Sequence, residues 1–498
     1  MSAADFNPIP SREGFQTLTV RVASSAPDNA EAIGVPVAKA GAIPDLLGKD
    51  RAAVEALDFT GDAGQALRMP QPDGPTLVAI GVGDPDALDA AKMRDAAAAL
   101  GRATARYTRL AVDLTRLSDM PADEAAQAVV EGIVLARYRY DALKSEPRAV
   151  VLSDLALVAD SAHAETAFGA ERGRVLAAAG ALARDLANTP PAYLTARKLA
   201  EVATAIGAES GLEVEVFDND ALQALGCGGL LGVNRGSTEP ARMVKLTYQP
   251  AGAKGHLGLV GKALTYDSGG ISLKPSNPVH ATMKNDMSGG GAVLAAMSAL
   301  RDLGCTSKVT GWLMCTDNMP DGSAMALGDV LTIYGGKTVE VMNTDAEGRL
   351  IMADALVLAT EDNVDAIVDI ATLTGACLMA LGPLTAGVLG NDEGLVDQVE
   401  AAARRTDERV WELPLDRRYR PWMDSDVADI KNLGGDFAGA ITAALFLEEF
   451  VGDTPWAHLD IAGTAQVNAD DSWRAQGGSG YGARLLADFA VNFTPPQG

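Results

Sequence analysis

Short runs of aliphatic and β-branched residues alternate with alanine-rich runs of helical spacing along most of this chain. That alternation constrains the fold more than any other feature, because strands separated by helices join most readily as parallel βαβ units. In the first 160 residues, TLTVRVA (17–23) and LAVDLT (110–115) read as strands, and TLVAIGVGDP (76–85) runs from a strand into a glycine turn. The run DALDAAKMRDAAAALGRATARY that follows has helical spacing. These features predict a small α/β domain over 1–160. The stretch ETAFGAERGRVLAAAGALARDLANT (165–189), stopped by Pro190-Pro191, predicts a linker helix within 161–188. Beyond it, EVEVF (213–217), MVKLTY (243–248), LGLVG (257–261), KVTGWLMCT (308–316) and AIVDIAT (366–372) alternate with helical runs. Residues 189–498 should therefore form a larger α/β domain, its central sheet mainly parallel and flanked by helices. A total of 498 residues also exceeds what one hydrophobic core usually holds.

The formal net charge of −25 disfavours a general binder of the phosphate backbone. No run approaches the 18 uninterrupted apolar residues of a membrane span, and the opening MSAADFNPIP lacks the cationic start of a leader. Cys227, Cys305, Cys315 and Cys377 are scattered, with no CxxC, as in a reduced cytoplasmic protein. His163, His256, His280 and His458 show no HxxxH spacing, so a metal here would be held mainly by oxygen. The GVG at 81–83 lacks a third glycine and reads as a tight strand-to-helix turn, not a cofactor loop.

Three charged clusters fall where strand-like runs end. LGLVGKALTYDSGGISLKP (257–275) holds Lys262, Asp267 and Lys274. MKNDMSGGGAVLAAMSAL (283–300) places Asp286 before a glycine-rich helix start, where an N-cap role is the plain alternative. VMNTDAEGRL (341–350) holds Asp345, Glu347 and Arg349. TVEV at 338–341 favours an extended approach, which would put those last three side chains on one face. A helix would instead pair Asp345 with Arg349. LIMADALVLAT (350–360) reads as a helix apolar nearly all round, hence buried. Two carboxylates on one face need a positive partner: Arg349 in a surface ion pair, or a metal. Lys262 closes a strand-like run, which predicts a half-buried lysine of lowered pKa. Four carboxylates without histidine suit hard or borderline divalent cations, and their number fits two ions better than one.

The octapeptide NTDAEGRL (343–350) resembles the signature of the leucyl aminopeptidases, cytosolic two-metal exopeptidases. The likeness extends through VGKALTYDSGGISLKP, MKNDMSGGGAV, DNMPDGSA, DIATLTGAC, AGAITAALFLEEFV and WAHLDIAGTA, in order over about 185–490. The resemblance implies that Lys262, Asp267, Asp286 and Glu347 hold a tight metal ion. Asp267, Asp345 and Glu347 would hold a more exchangeable one, either ion being Zn²⁺ or Mn²⁺. Lys262 would bind as the neutral amine. Lys274 would stabilise the oxyanion, and Arg349 would hold a bicarbonate acting as general base toward a metal-bridging water. Met283, Thr372 and Gly375 would line the pocket for the first side chain.

The same resemblance implies a cytoplasmic metalloprotease that releases N-terminal residues, preferably apolar ones such as leucine, from peptides. It also implies a homohexamer, a dimer of trimers. Two alternatives stand beside this: a dipeptidase narrowed to a substrate such as cysteinylglycine, and a member with an added DNA-binding regulatory role. Departures from the family pattern at Pro383, Leu384 and Gln466, and in MALGDV (325–330), touch no implied metal ligand.

Overall fold

The computed structural model describes residues 6–117 and 120–496; the opening Met1–Asp5, read above for a leader, lies outside them. By contact the chain divides into two units. One comprises Ile9–Ala181 with Val467–Gln476; the other comprises the residues up to Pro8, Leu182–Gln466 and those from Gly477 onward. The division falls inside one continuous helix, His163–Asn188.

The first unit is built on β1 (Thr19–Ala23), β2 (Ala32–Ala38), β3 (Ala66–Met69), β4 (Thr76–Gly83), β5 (Arg109–Asp113) and β6 (Asp154–Val158). Their order is β1-β6-β5-β2-β4-β3, parallel throughout except for the β3–β4 pair. Helices Ala90–Ala103 and Ala122–Ala136 bring Met93, Leu100, Val129 and Ile133 onto one face of this sheet. Leu47, Val54 and Phe59 fill the other. Strand β2 carries Gly34 and Pro36, residues that argue against a central strand, yet it pairs with β4 on one side and β5 on the other. A Cβ at Gly34 would stand 2.4 Å from Leu100 Cδ2, so the buried Leu100 side chain would have to shift to admit one.

The second unit holds an eight-stranded sheet of β7 (Glu213–Phe217), β8 (Arg242–Tyr248), β9 (His256–Asp267), β10 (Lys308–Asn318), β13 (Ala366–Ala371), β14 (Ala386–Gly390), β15 (Val410–Glu412) and β17 (Trp456–Asp460). A small sheet joins β11 (Val330–Thr332), β12 (Thr338–Glu340) and β16 (Ile430–Lys431). The large sheet runs β15-β14-β17-β13-β9-β10-β8-β7. Its central four strands, β17-β13-β9-β10, are parallel, whereas β8, β7 and β14 add in antiparallel pairings toward the edges. Parallel strands need helices over both faces, and β13 and β17 are buried along their whole length. Helices Ser288–Ala299 and Gly348–Glu361 are themselves buried on most sides, as LIMADALVLAT predicts. The core around Leu350, Ile351, Trp312, Phe446 and Trp456 contains residues from sheet and helix alike. Because the central strands are parallel, Asp267, Asn318, Ala371 and Asp460 all close their strands at one edge, where open α/β sheets bind ligands.

Candidate metal centre

Strand β9 carries the first charges to that edge. Lys262 lies within the strand and Asp267 ends it, and both are buried. A turn through Ser268, Gly269 and Gly270 then leads to Lys274. Gly269 has φ +87°, and a Cβ there would stand 2.7 Å from Asp345 Oδ1, so conformation and space both require glycine. Asp286 lies between the short 3-10 helix His280–Asn285 and helix Ser288–Ala299. It does not cap that helix: its carboxylate takes Lys262 and the Thr372 hydroxyl instead.

The third cluster is not extended. Strand β12 stops at Glu340, and Glu347 already has helical angles (φ −78°, ψ −34°) directly before helix Gly348–Glu361. Asp345, Glu347 and Arg349 therefore do not alternate along one strand face. The buried helix overrides the strand preference of the residues before it. Arg349 joins neither carboxylate in an ion pair; its Nη1 donates to the carbonyl of Asn432 at 2.9 Å. Gly348 has a reason of its own, since a Cβ there would meet Lys262 Cε and Nζ at 2.8 Å.

The three clusters converge. Lys262 Nζ lies 2.8 Å from Asp286 Oδ2 and 2.8 Å from Glu347 Oε1, and it donates to the Thr372 carbonyl at 3.0 Å. Lys274 Nζ lies 2.8 Å from Asp267 Oδ2 and 2.6 Å from Asp345 Oδ1. Carboxylate oxygens of Asp267, Asp345 and Glu347 come within 4.8 Å of one another. Burial and mutual repulsion push the carboxyls up: Glu347 to about 8, with Asp286 and Asp345 also raised. Burial alone would lower Lys262, but the charges of Asp286, Glu347 and Asp267 outweigh it and hold the ammonium above its ordinary value. The expectation of a half-buried lysine of lowered pKa is thus corrected twice. Lys262 is only 3% exposed, and three close carboxylates keep it charged. Lys274 is raised by the same kind of neighbours, again against burial.

This donor set fits divalent cations. Carboxylates that repel one another at this range are what a hard ion relieves. Glu347 Oε2 is buried and accepts no hydrogen bond among the described residues. Asp286 Oδ2 and Asp345 Oδ1 face only the lysine ammonium groups, without hydrogen-bond geometry. Arg349 is buried, and its pKa is lowered to about 10 by that burial. Its Nε finds no acceptor among the described residues, an arrangement that suits a small anion.

The three residues that the resemblance assigns to a side-chain pocket, Met283, Thr372 and Gly375, differ in how closely they join this cluster. Thr372 touches it directly, through Asp286 Oδ1 at 2.6 Å. The Met283 carbonyl accepts the Asp286 N–H at 3.3 Å. Gly375 opens helix Gly375–Leu381 and is exposed, and a Cβ there would meet nothing within 4 Å.

Three polar residues that support the site do not stand out in the sequence. Asn318 donates from Nδ2 to Asp267 Oδ1 and to the Thr344 carbonyl, both at 3.0 Å. Asp460 accepts the Leu373 and Thr374 N–H groups on Oδ1 and the Thr374 hydroxyl on Oδ2 at 2.6 Å, fixing the loop that carries Thr372. Asn432 bonds the segment before Glu347. Position just past a predicted strand (308–316) was the available signal for Asn318; Asp460 closes a strand that the sequence pattern does not show, and Asn432 offered none.

Residues 181–487 match the model of the cytosol aminopeptidase family, catalytic domain, and residues 36–147 match that of its N-terminal domain. A probable cytosol aminopeptidase of Solibacter usitatus is 42% identical over 452 residues, spanning 89% of this chain and 94% of the relative. One from Streptomyces avermitilis is 44% identical over 465 residues, spanning 89% of each. Among solved structures, the bottromycin maturation enzyme BotP in complex with Mn has a TM-score of 0.86 and 38% identity, covering 93% of this chain and 99% of its own. A mutant of tomato leucine aminopeptidase has a TM-score of 0.86 and 29% identity, covering 96% of this chain and 97% of its own.

Proposed function

This chain belongs to the cytosol aminopeptidase family, and from that membership we propose that it removes N-terminal residues, preferably apolar ones such as leucine, from peptides in the cytoplasm. It is a hydrolase of a metal-dependent family. The observation that carries the finer reading is the convergence of Asp267, Asp345 and Glu347 within 4.8 Å, with Lys274 between two of them.

Lys262, Asp267, Asp286, Asp345 and Glu347 would hold two divalent ions, Zn²⁺ or Mn²⁺. Such ions would supply an activated water and polarise the scissile carbonyl. Lys262 would give up its proton once a divalent ion shields the carboxylates that now hold it charged. Lys274 is in reach of the same carboxylates and, staying charged, would face the oxyanion that develops on the carbonyl. Arg349, with Nε unused, would hold a bicarbonate that accepts the proton of the water. Thr372, Met283 and Gly375 would border the pocket for the first side chain. The family resemblance further supports a homohexamer. Chelation should abolish hydrolysis of leucyl-p-nitroanilide and Mn²⁺ or Zn²⁺ should restore it; full activity of the stripped protein would rule this reading out.

A second reading is a peptidase of narrow range, since one solved neighbour is named as a maturation enzyme. A dipeptide panel that includes cysteinylglycine separates the two: activity confined to one member would favour the narrow enzyme.

A further inference from the structure

The stretch KNLGG (431–435) lies more than eighty positions from Asp345 and Glu347 and carries none of the site's charges. Yet Asn432 within it is fully buried, 0% exposed. Strand β16 pairs in parallel with β12, with Val339 opposite Ile430 and Glu340 opposite Lys431. The Asn432 N–H extends that ladder to the Glu340 carbonyl at 3.0 Å. There β12 ends, and the chain turns toward Asp345.

The Asn432 side chain takes over where the ladder stops. Its Oδ1 accepts the N–H groups of Met342 at 2.8 Å and Asn343 at 3.3 Å. Its Nδ2 donates to the carbonyls of Asn343 at 2.7 Å and Ala346 at 3.3 Å. Donors on one side and carbonyls on the other fix which atom is oxygen, and the amide uses its whole hydrogen-bonding capacity. Asp345 lies between the two gripped carbonyls, and its own N–H is held by Asn343 Oδ1 at 2.8 Å. The Asn432 carbonyl also anchors Arg349.

We propose that Asn432 is a positioning residue that holds the 342–346 turn so that Asp345 completes the site of the second, more exchangeable ion; the proposal rests on the two-ion reading above. The other ligands have anchors of their own. Lys262 and Asp267 belong to β9, Asp286 is tied to Thr372, and Glu347 begins a buried helix. Asp345 belongs to no strand or helix: besides Lys274 at 2.6 Å and the bonds that tie Thr344 to Asn318, Gly269 and Ser272, the turn gripped by Asn432 places it. Loosening the turn should therefore cost the ion that needs Asp345 and spare the one that does not.

The test is Mn²⁺ binding to the chelator-stripped full-length protein, read by calorimetry and by the spin signal of free Mn²⁺, so it needs no activity. Wild type should bind two ions. Asn432→Ala should keep the tighter ion within about threefold and weaken the second by about 10–100-fold, the usual cost of removing a residue that orients a metal ligand. Asn432→Asp, of nearly the same volume, sets a carboxylate oxygen against two carbonyls and should show the same selective loss; it carries the test if the alanine variant does not fold. Asn391→Ala is the control for a plain structural clamp, because that amide grips Thr454 and Trp456 instead and should leave both affinities unchanged. If folded Asn432 variants bind both ions as wild type does, or lose both equally, the proposal is overturned. Wild type binding fewer than two ions would sink the two-ion reading itself, which is seen without any variant.

Discussion

Lys274 and Asp267 touch each other, at 2.8 Å, yet their removal should leave opposite signatures. Lys274→Ala removes a charge that would face the oxyanion, so kcat should fall by roughly 10²–10³ with both ions still bound. Asp267→Ala removes a carboxylate, and the ions themselves should be lost. Metal content and kcat measured on the same preparations decide it, and the reverse pattern would overturn the assignment of roles. At this scale the sequence was most informative where chemistry needs a residue type outright. Asp267, Asp286, Asp345, Glu347, Lys262 and Lys274 were all picked out, and all six meet at one place. The ionisation of Lys262 was not legible, because it depends on three carboxylates brought from other elements. The bond from Arg349 to the Asn432 carbonyl was not legible for a similar reason, since Asn432 is remote in sequence.

Elements that obey the simple periodicities were found: β4, β5, β7, β8, β10, β13 and the helix after Glu347. Those missed carry residues that contradict their type. Strand β2 holds Gly34 and Pro36, and β17 is the run WAHLD, with a histidine and an aspartate buried in the sheet. Both are neutralised by contacts that only the fold supplies: His458 Nδ1 meets Asp369 Oδ1 at 2.5 Å across the β13–β17 ladder, and Asp460 binds the 372–374 loop. That end of β17 supports a prediction. Asp460→Ala would orphan the Leu373 and Thr374 N–H groups, and leaving such groups buried costs on the order of 3 kcal/mol. Denaturant unfolding should show that loss, and an unchanged midpoint would mean that the loop holds itself.

At the scale of the molecule, no helix among the described residues is long and apolar enough to cross a membrane. The catalytic unit does leave large apolar side chains on its surface, Met379 at 86% and Phe437 at 77% exposure among them. The proposed hexamer of 51.4-kDa chains rests on the family resemblance. Sedimentation should find six chains per particle, and a stable active monomer would contradict it. The central claim, an enzyme that acts only at a free N-terminus, has a more direct test. A cluster of carboxylates and cations should bind the substrate's α-amine and so place the first carbonyl for attack. Leucyl-p-nitroanilide should be cleaved, and N-acetyl-leucyl-p-nitroanilide should be essentially inert, with kcat/KM lower by at least roughly 10³. Comparable rates on the two substrates would contradict the account, even with every metal ligand correctly assigned.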